Sequence, residues 1–258
     1  LLYGLKMLFG DKTRFLGIVL GLSFSSLIII QQASIFTGLM RRTFGFISDT
    51  SQADIWVMDK QVQFVDDFKP IRDTQLFQIR GVSGVKWAVP FYKGLLKVKI
   101  ESGNLQMCNI LGIDDATLIG APPKMIEGRV ESLREPDAII INKKGSEGML
   151  AENGIYNPKK NPVIPMRVGD ITEINDQRAK VVGICESLPT FMSQPVIYTT
   201  YKRALSYAPS ERKNLSYILV KADKGVSPKK LARLISQNPE LTALTNSEFK
   251  KLTIRYFM

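Results

Sequence analysis

The pattern of apolar and charged positions divides the chain into two unequal parts. Residues 15–40 carry no charged side chain, and they lie between Lys12 and Arg14 on one side and Arg41 and Arg42 on the other. A helix needs about 20 apolar residues to cross a bilayer, so this run predicts a membrane-spanning helix. A cleaved signal peptide has a shorter apolar core and a small-residue cleavage site, so the run favours a retained span.

The residues before this run have the spacing of an amphipathic helix. Apolar side chains recur at helical intervals within residues 1–14, which predicts a short helix lying in the membrane interface. Residues 1–42 therefore form the predicted anchoring part. The basic residues that flank the run are nearly balanced, with a slight excess before it, which leans towards a cytoplasmic N terminus.

The predicted span carries two features that favour contact with other helices. Gly17, Gly21 and Ser25 recur every four residues and form one smooth helix face, on which another helix can pack closely. Gln31 and Gln32 place two amides in the apolar run, which is costly unless they meet other helices or water. A helix bundle is therefore predicted, formed with partners or with further spans.

Beyond residue 42 the chain alternates in short runs typical of strands, with few helical stretches. The predicted strands are 53–58, 85–91, 95–101, 105–113, 138–142, 167–175, 179–186, 194–199 and 215–220. The predicted helices are 74–80, 200–208 and 227–237, the last with Ser227 as N-cap and Pro228 at its first position. Turn residues at 102–104 and 176–177 predict two hairpins, and residues 143–165 are expected to form a loop. This order predicts an α+β fold whose outer pieces form one subdomain around a β-rich insertion.

Composition narrows the classes of function. The net charge is +11, but the lysines are spread over many loops, which disfavours nucleic-acid binding and suits a surface near anionic lipid headgroups. The chain has no histidine and two cysteines, so the usual general base is missing and a Cys/His zinc site cannot be built. Cys108 and Cys185 each lie in a strand-like run. Two buried thiols are favoured, and a disulfide is the alternative if the domain is extracytoplasmic.

The chain lacks three common catalytic or nucleotide-binding motifs. The phosphate-loop, G-x-S-x-G and H-E-x-x-H patterns do not occur. The adjacent carboxylates 66–67 and 114–115 are interpreted as solvated turn residues rather than an acid/base pair. A Ser/Lys nucleophile pair stays open, because serine and lysine are abundant. No cofactor and no metal is predicted.

Several short segments resemble those of a known family of membrane proteins. They are Ala53-Asp54-Ile55-Trp56-Val57 after the span, Gly81-Val82 before a strand, Leu111-Gly112-Ile113-Asp114, and Leu244-Thr245-Asn246-Ser247-Glu248-Phe249 near the end. With a span followed by a mixed domain of about 200 residues, the chain resembles the FtsX/MacB-type ABC transporter permeases, and within them DevC-like exporters.

The resemblance implies a MacB-like periplasmic core domain with two lobes. Residues 43–99 and 215–245 would form a porter-like α+β lobe, residues 100–214 a β-rich inserted lobe, and residues 246–258 the approach to a second span. It also implies a place in the bacterial inner membrane, with the large domain periplasmic. The implied partners are a cytoplasmic ABC ATPase, a second permease copy, membrane lipids, and a periplasmic adaptor or membrane-fusion protein.

The resemblance further suggests a mechanism and the residues that would serve it. The chain would be no enzyme itself: the ATPase would move the spans and the periplasmic domain to extrude or release a lipid, lipoprotein or peptide-like cargo. The coupling segment would contain Arg41, Arg42, Phe44 and Phe46, and the cargo cavity Gln31, Gln32, Phe36 and Met40. The alternatives are a single-span periplasmic adaptor or sensor and, less favoured, an anchored hydrolase using serine and lysine.

Overall fold

The structure is a computed structural model that describes residue 10 and residues 12–152, 163–210 and 214–257. Its contacts divide the chain into two units, residues 1–41 and residues 42–258. The predicted interfacial helix, residues 1–14, falls almost entirely outside the described residues.

From residue 12 onward, the first unit is one long helix, α1 (Lys12–Thr43), whose last residues already belong to the second unit. Among the described residues, it is the one helix long and apolar enough to cross a membrane. Its apolar side chains are largely exposed, as expected for a helix whose surroundings would be lipid or other helices.

The second unit mixes strands and short helices, as the apolar pattern predicts. Its helices are α2 (Gly45–Asp49), α3 (Asp73–Arg80), α4 (Lys143–Ser146), α5 (Tyr201–Tyr207), α6 (Pro228–Ile235) and α7 (Asn246–Phe257), with a 3₁₀ turn at Val130–Arg134. Its strands are β1 (Ile55–Asp59), β2 (Val85–Lys99), β3 (Leu105–Ile113), β4 (Lys124–Gly128), β5 (Ala138–Asn142), β6 (Ile171–Ile174), β7 (Gln177–Glu186), β8 (Val196–Thr200), β9 (Tyr217–Ala222) and β10 (Leu241–Thr245).

The strands form one sheet in the order β10-β1-β9-β2-β3-β8-β5-β7-β4, and β6 pairs with β2 and β7. Strand β2 joins its two halves, because residues 85–91 pair with β9 and residues 92–99 pair with β3. The prediction of two separate strands here, with Pro90 closing the first, was wrong. Among the described strands, β2 pairs at Pro90 with β9 alone, and proline is tolerated where one side of a strand is unpaired. The division into two lobes stays a prediction.

Three apolar clusters cover the faces of the sheet. Neighbouring residues of β1 alternate between two of them, because side chains of a strand point to opposite faces: Ile55 and Val57 lie with α3 and α6, and Trp56 and Met58 lie on the other face. Cys108 and Cys185 belong to different clusters and are both free and buried, which confirms the favoured interpretation and leaves no disulfide.

The turns and caps contain the smaller differences from prediction. The hairpin at residues 102–104 is confirmed, and the second hairpin turns one residue earlier, at Asn175 and Asp176, whose positive φ angles of 46° and 62° are those of a type I′ turn. Ser227 precedes Pro228 at the start of α6, but its side chain makes no capping hydrogen bond. The expected loop at 143–165 begins with the short helix α4. Asp114 is buried rather than solvated, because it accepts hydrogen bonds from the amide and hydroxyl of Thr117.

Candidate functional site

The first residues of the domain pack against a buried cluster of aromatic rings. Phe46 lies on α2, with its ring centroid 5.2 Å from that of Trp56 and 5.5 Å from that of Phe91. Trp56 is fully buried on β1 and also contacts Tyr217 at 5.5 Å and Phe249 at 5.7 Å. We call these five residues the aromatic junction. Edge-to-face and tilted pairs of this kind stabilise a fold beyond the area they bury.

The last helix of the domain starts on the same cluster. The indole Nε1 of Trp56 donates a hydrogen bond of 2.7 Å to Asn246 Oδ1, and Asn246 Nδ2 donates one of 2.9 Å to the carbonyl oxygen of Ala53. Asn246 is the first residue of α7, and Phe249 one turn later is fully buried in the junction. The start of α7 is thus fixed to β1 by both polar and apolar contacts.

A capping box determines where α7 begins. The Thr245 amide donates to Glu248 Oε2 at 3.0 Å, and the Glu248 amide donates to Thr245 Oγ1 at 3.4 Å, the reciprocal pattern of a capping box. The Thr245 hydroxyl also donates to Glu248, and these bonds hold the pKa of Glu248 below its usual value. The segment entering the domain and the helix that ends it therefore meet at the aromatic junction.

A buried cation lies next to the junction. The Lys93 side chain is 3% exposed, and its ammonium pairs with the carboxylate of Asp66. It also donates to the carbonyl oxygen of Val65 at 3.4 Å and lies 5.2 Å from the Phe46 ring centroid. The Ser216 hydroxyl bonds to the backbone of Lys93, not to its ammonium. Asp66 lies in a turn with its side chain 43% exposed, as predicted, and it is in addition the ion-pair partner of Lys93.

Asp49, the last residue of α2, is a second buried charge of this region. Its carboxylate accepts a hydrogen bond of 2.8 Å from the Leu188 amide, in the loop between β7 and β8. Burial raises the pKa of Asp49 from 3.8 to about 6, against the opposing effect of that hydrogen bond. The Asp49 carboxyl therefore titrates well above the range in which it would titrate in the unfolded chain.

This raised pKa predicts a stability that falls with pH. The folded state holds the Asp49 proton more tightly than the unfolded chain, so its contribution is fully present below about pH 4 and is lost as pH rises through about 6. Asp49→Asn keeps an oxygen for the Leu188 amide and does not titrate. We expect it to be more stable than the parent by about 1–2 kcal/mol above pH 7, because water reaching the carboxyl reduces the full effect, and to lose this advantage near pH 4. Urea unfolding across this range measures the difference, and parallel pH profiles would contradict it.

Comparison with known proteins shows which family the chain belongs to. The family described as MacB-like periplasmic core domain matches residues 15–238. The chain belongs to this family. The protein thus consists of an N-terminal apolar helix followed by the MacB-like periplasmic domain of an ABC transporter permease.

One solved structure agrees with this fold, and a second is reported beside it. The periplasmic region of MacB from Actinobacillus actinomycetemcomitans matches with a TM-score of 0.51 at 12% identity, over 80% of this chain and 94% of that chain. The extracellular domain of the ABC-type transporter YknZ from Gram-positive bacteria matches with a TM-score of 0.49 at 16% identity, over 74% of this chain and 99% of that chain. At these identities, the likeness to MacB shows the fold alone. No curated protein sequence matches the chain.

The structure of this MacB-like domain brings together part of the predicted coupling segment. Arg42 Nη1 donates a hydrogen bond of 3.1 Å to Ser193 Oγ, and the Lys250 ammonium of α7 lies 5.6 Å from the Phe44 ring centroid. Phe46 belongs to the aromatic junction, whereas Arg41 lies in the first unit. A coupling role for these four residues stays a prediction.

The predicted residues of the span all lie on α1. Gly17 and Gly21 have open space around them, and Gln31, Gln32 and Phe36 are exposed. Ser25 completes the small-residue face, and Met40 lies in the last turns of the helix. Their proposed roles, helix packing for the first group and a cargo cavity for the second, stay predictions because both need neighbours beyond this chain.

Sequence reasoning missed the buried charges and the cap of this MacB-like domain. The pattern Thr-x-x-Glu at 245–248 is a readable capping-box signal. Lys93 and Asp49 carry no such signal, because their burial depends on segments distant in the chain. Among the described residues, no group of three or more His, Cys, Asp or Glu side chains could hold a metal ion.

Proposed function

We propose that this chain is the first span and periplasmic domain of an ABC exporter permease that works by mechanotransmission. A cytoplasmic ATPase would bind and hydrolyse ATP, and the permease, paired with a second copy, would move its periplasmic domain to extrude or release a lipid, lipoprotein or peptide-like cargo. The permease would lie in the bacterial inner membrane. A periplasmic adaptor or membrane-fusion protein would be a further partner. The chain itself would catalyse no reaction.

The observation that carries this proposal is the convergence of both ends of the domain on the aromatic junction. The chain leaves α1 at Thr43, and Phe46 is already packed against Trp56 and Phe91. At the other end, Phe249 fixes α7 to the same tryptophan. Packed aromatic cores transmit displacement because they have little free volume. A movement of the entering segment would therefore reach the sheet directly.

The span would supply the contacts that movement requires. Gly17, Gly21 and Ser25 would pack against a neighbouring helix, and the exposed amides of Gln31 and Gln32 would face a cavity between two permease copies, together with Phe36 and Met40. Amides in a lipid-exposed position are costly, so a protein or water surrounding suits them better.

Spin-label distances in the complete permease with its ATPase test the proposal. The buried thiols of Cys108 and Cys185 are poorly reactive, since burial raises the pKa of Cys185 to about 12 and that of Cys108 further, so an introduced cysteine can be labelled selectively. Phe77→Cys is suitable because Phe77 is 64% exposed on α3. We expect ATP to change the distance between labels on the two copies, and an insertion of Gly-Gly after Phe44 to abolish the change while ATP hydrolysis continues.

The same insertion after Gly103 is the matched control, because Gly103 lies in the exposed hairpin turn between β2 and β3. It should leave the ATP-dependent change intact. Equal distance changes with both insertions would refute coupling through the junction. A chain that binds no ATPase and shows no change at all would instead support the single-span adaptor or sensor.

A further inference from the structure

The loop between β7 and β8, residues 187–195, is held against the residues at which the chain leaves the apolar helix. The Leu188 amide donates to Asp49 Oδ2 at 2.8 Å, and Ser193 Oγ accepts from Arg42 at 3.1 Å. Gly45 makes a close approach possible, because a Cβ atom there would lie 3.0 Å from Leu188 Cβ. The loop is thus fixed near both of its ends to residues 42–49.

This attachment sets the level of the loop relative to a bilayer. Arg42 closes the charge-free run, so it lies at the membrane surface whenever α1 spans the membrane. Ser193 is in hydrogen-bond contact with Arg42. Phe191 stacks on Phe257 of α7, with ring centroids 5.1 Å apart. The loop is therefore attached to the residue that closes the charge-free run and to the last helix of the described chain.

Despite this fixed backbone, the loop exposes large apolar side chains. Met192 is 70% exposed and Leu188 is 47% exposed. A turn in which the Ser193 amide donates to the Thr190 carbonyl oxygen holds this part of the loop in shape. Apolar side chains on a surface near a bilayer gain free energy by entering the interface, where they leave water.

A cleft lined by three lysines, the lysine cleft, adjoins the loop. It has a volume of about 340 Å³, and its lining contains Lys124, Lys143 and Lys144, the carboxylates of Asp49 and Glu186, and Ser187 and Leu188 of the loop. Lys124 pairs with Glu186 and Lys143 with Glu147, but these side chains are all more than half exposed. The buried Ser187 Oγ has no hydrogen-bond partner within the described part of the chain. Ammonium groups and a hydroxyl suit the oxygens of a phosphate headgroup.

We propose that the β7–β8 loop and the lysine cleft form a lipid-contact surface, which rests on the outer face of the membrane that holds α1. Leu188 and Met192 enter the interface, and Lys124, Lys143 and Lys144 meet anionic headgroups. The occupant is the bilayer surface rather than a protein, because Arg42 fixes the loop at membrane level. This surface requires only the membrane anchor, and not the ATP-driven movement proposed above.

Fluorescence quenching by lipids tests the surface. The full chain carrying Met192→Cys, labelled with an environment-sensitive dye, is placed in nanodiscs of phosphatidylcholine and phosphatidylglycerol that contain a lipid with a shallow doxyl quencher. We expect a blue-shifted emission and a several-fold greater loss of emission than for the same dye at Phe77→Cys. Phe77 is a matched control because it is equally apolar and exposed but lies on α3, away from the loop.

The possible outcomes show whether the dye at position 192 contacts lipid, water or protein. Equal quenching at both positions would overturn the proposal, and so would a blue shift without quenching, which would indicate a covering protein. Replacing both Lys143 and Lys144 by glutamate should reduce quenching at position 192 in the mixed nanodiscs but not in pure phosphatidylcholine. The same loss in both lipids would refute the role of the lysines. No ATPase is present, so a negative result leaves the coupling mechanism untouched.

Discussion

Replacing Trp56 by alanine is expected to lower the free energy of unfolding of the domain by about 3–5 kcal/mol. Trp56 has no exposed surface, and its ring contacts those of Phe46, Phe91, Tyr217 and Phe249. The substitution leaves a cavity at the centre of the aromatic junction. It also removes the indole donor of Asn246, so α7 loses a polar attachment to β1.

Urea unfolding of the full chain in detergent, followed by circular dichroism, measures this effect. The control is Trp87→Ala, because Trp87 is the other tryptophan and packs against the same cluster but is only partly buried. We expect that variant to lose about 1–2 kcal/mol. If both variants lose the same free energy of unfolding, the aromatic junction contributes no more to stability than the partly buried edge of the apolar cluster where Trp87 lies.

Replacing Asp66 by alanine is expected to cost about 2–4 kcal/mol, because it leaves the buried Lys93 ammonium without its carboxylate. The remaining contacts are weaker, since the Val65 carbonyl oxygen lies at 3.4 Å and the rings of Phe46 and Phe68 lie at 5.2 and 5.9 Å. Lys93→Met in the same chain removes the uncompensated charge and keeps most of the apolar stem. The double variant should therefore recover most of the lost stability.

An exposed ion pair provides the comparison for this second prediction. Glu186 pairs with Lys124 at 2.8 Å, but the side chains are 60% and 71% exposed. Glu186→Ala should change the free energy of unfolding by less than about 1 kcal/mol. If Asp66→Ala costs no more than Glu186→Ala, or if Lys93→Met fails to restore stability, burial of Lys93 does not control the energetics of this pair.

The local elements were predictable where the signal lies within a few residues. The strand containing Trp56 follows from a compact apolar run, and Ala138–Asn142 was predicted with the bounds it has. The continuous strand β2 was not predicted, because Pro90 is tolerated only when one side of the strand is unpaired, and that depends on β9 from far along the chain.

The candidate site was predictable only in part. The position of Phe46 just after the span suggested a coupling role, but the sequence does not indicate that Phe46, Phe91 and Phe249 meet around Trp56. Lys93 falls between the predicted strands 85–91 and 95–101, in a connection where a charged residue normally faces solvent. Its burial arises because the segment with Val65 and Asp66 folds over it. Such long-range contacts leave no local trace in the sequence.

Strand β2 has a mechanical consequence for the domain. Its 15 residues extend about 50 Å, from the part that pairs with β9 to the start of the hairpin turn that leads into β3. Phe91 of the aromatic junction and Lys93 lie near its middle, and no loop interrupts the backbone between them and the turn. A force applied at Phe91 would act near the middle of a continuous strand, so its displacement would pass along the backbone to the hairpin turn without a hinge that yields.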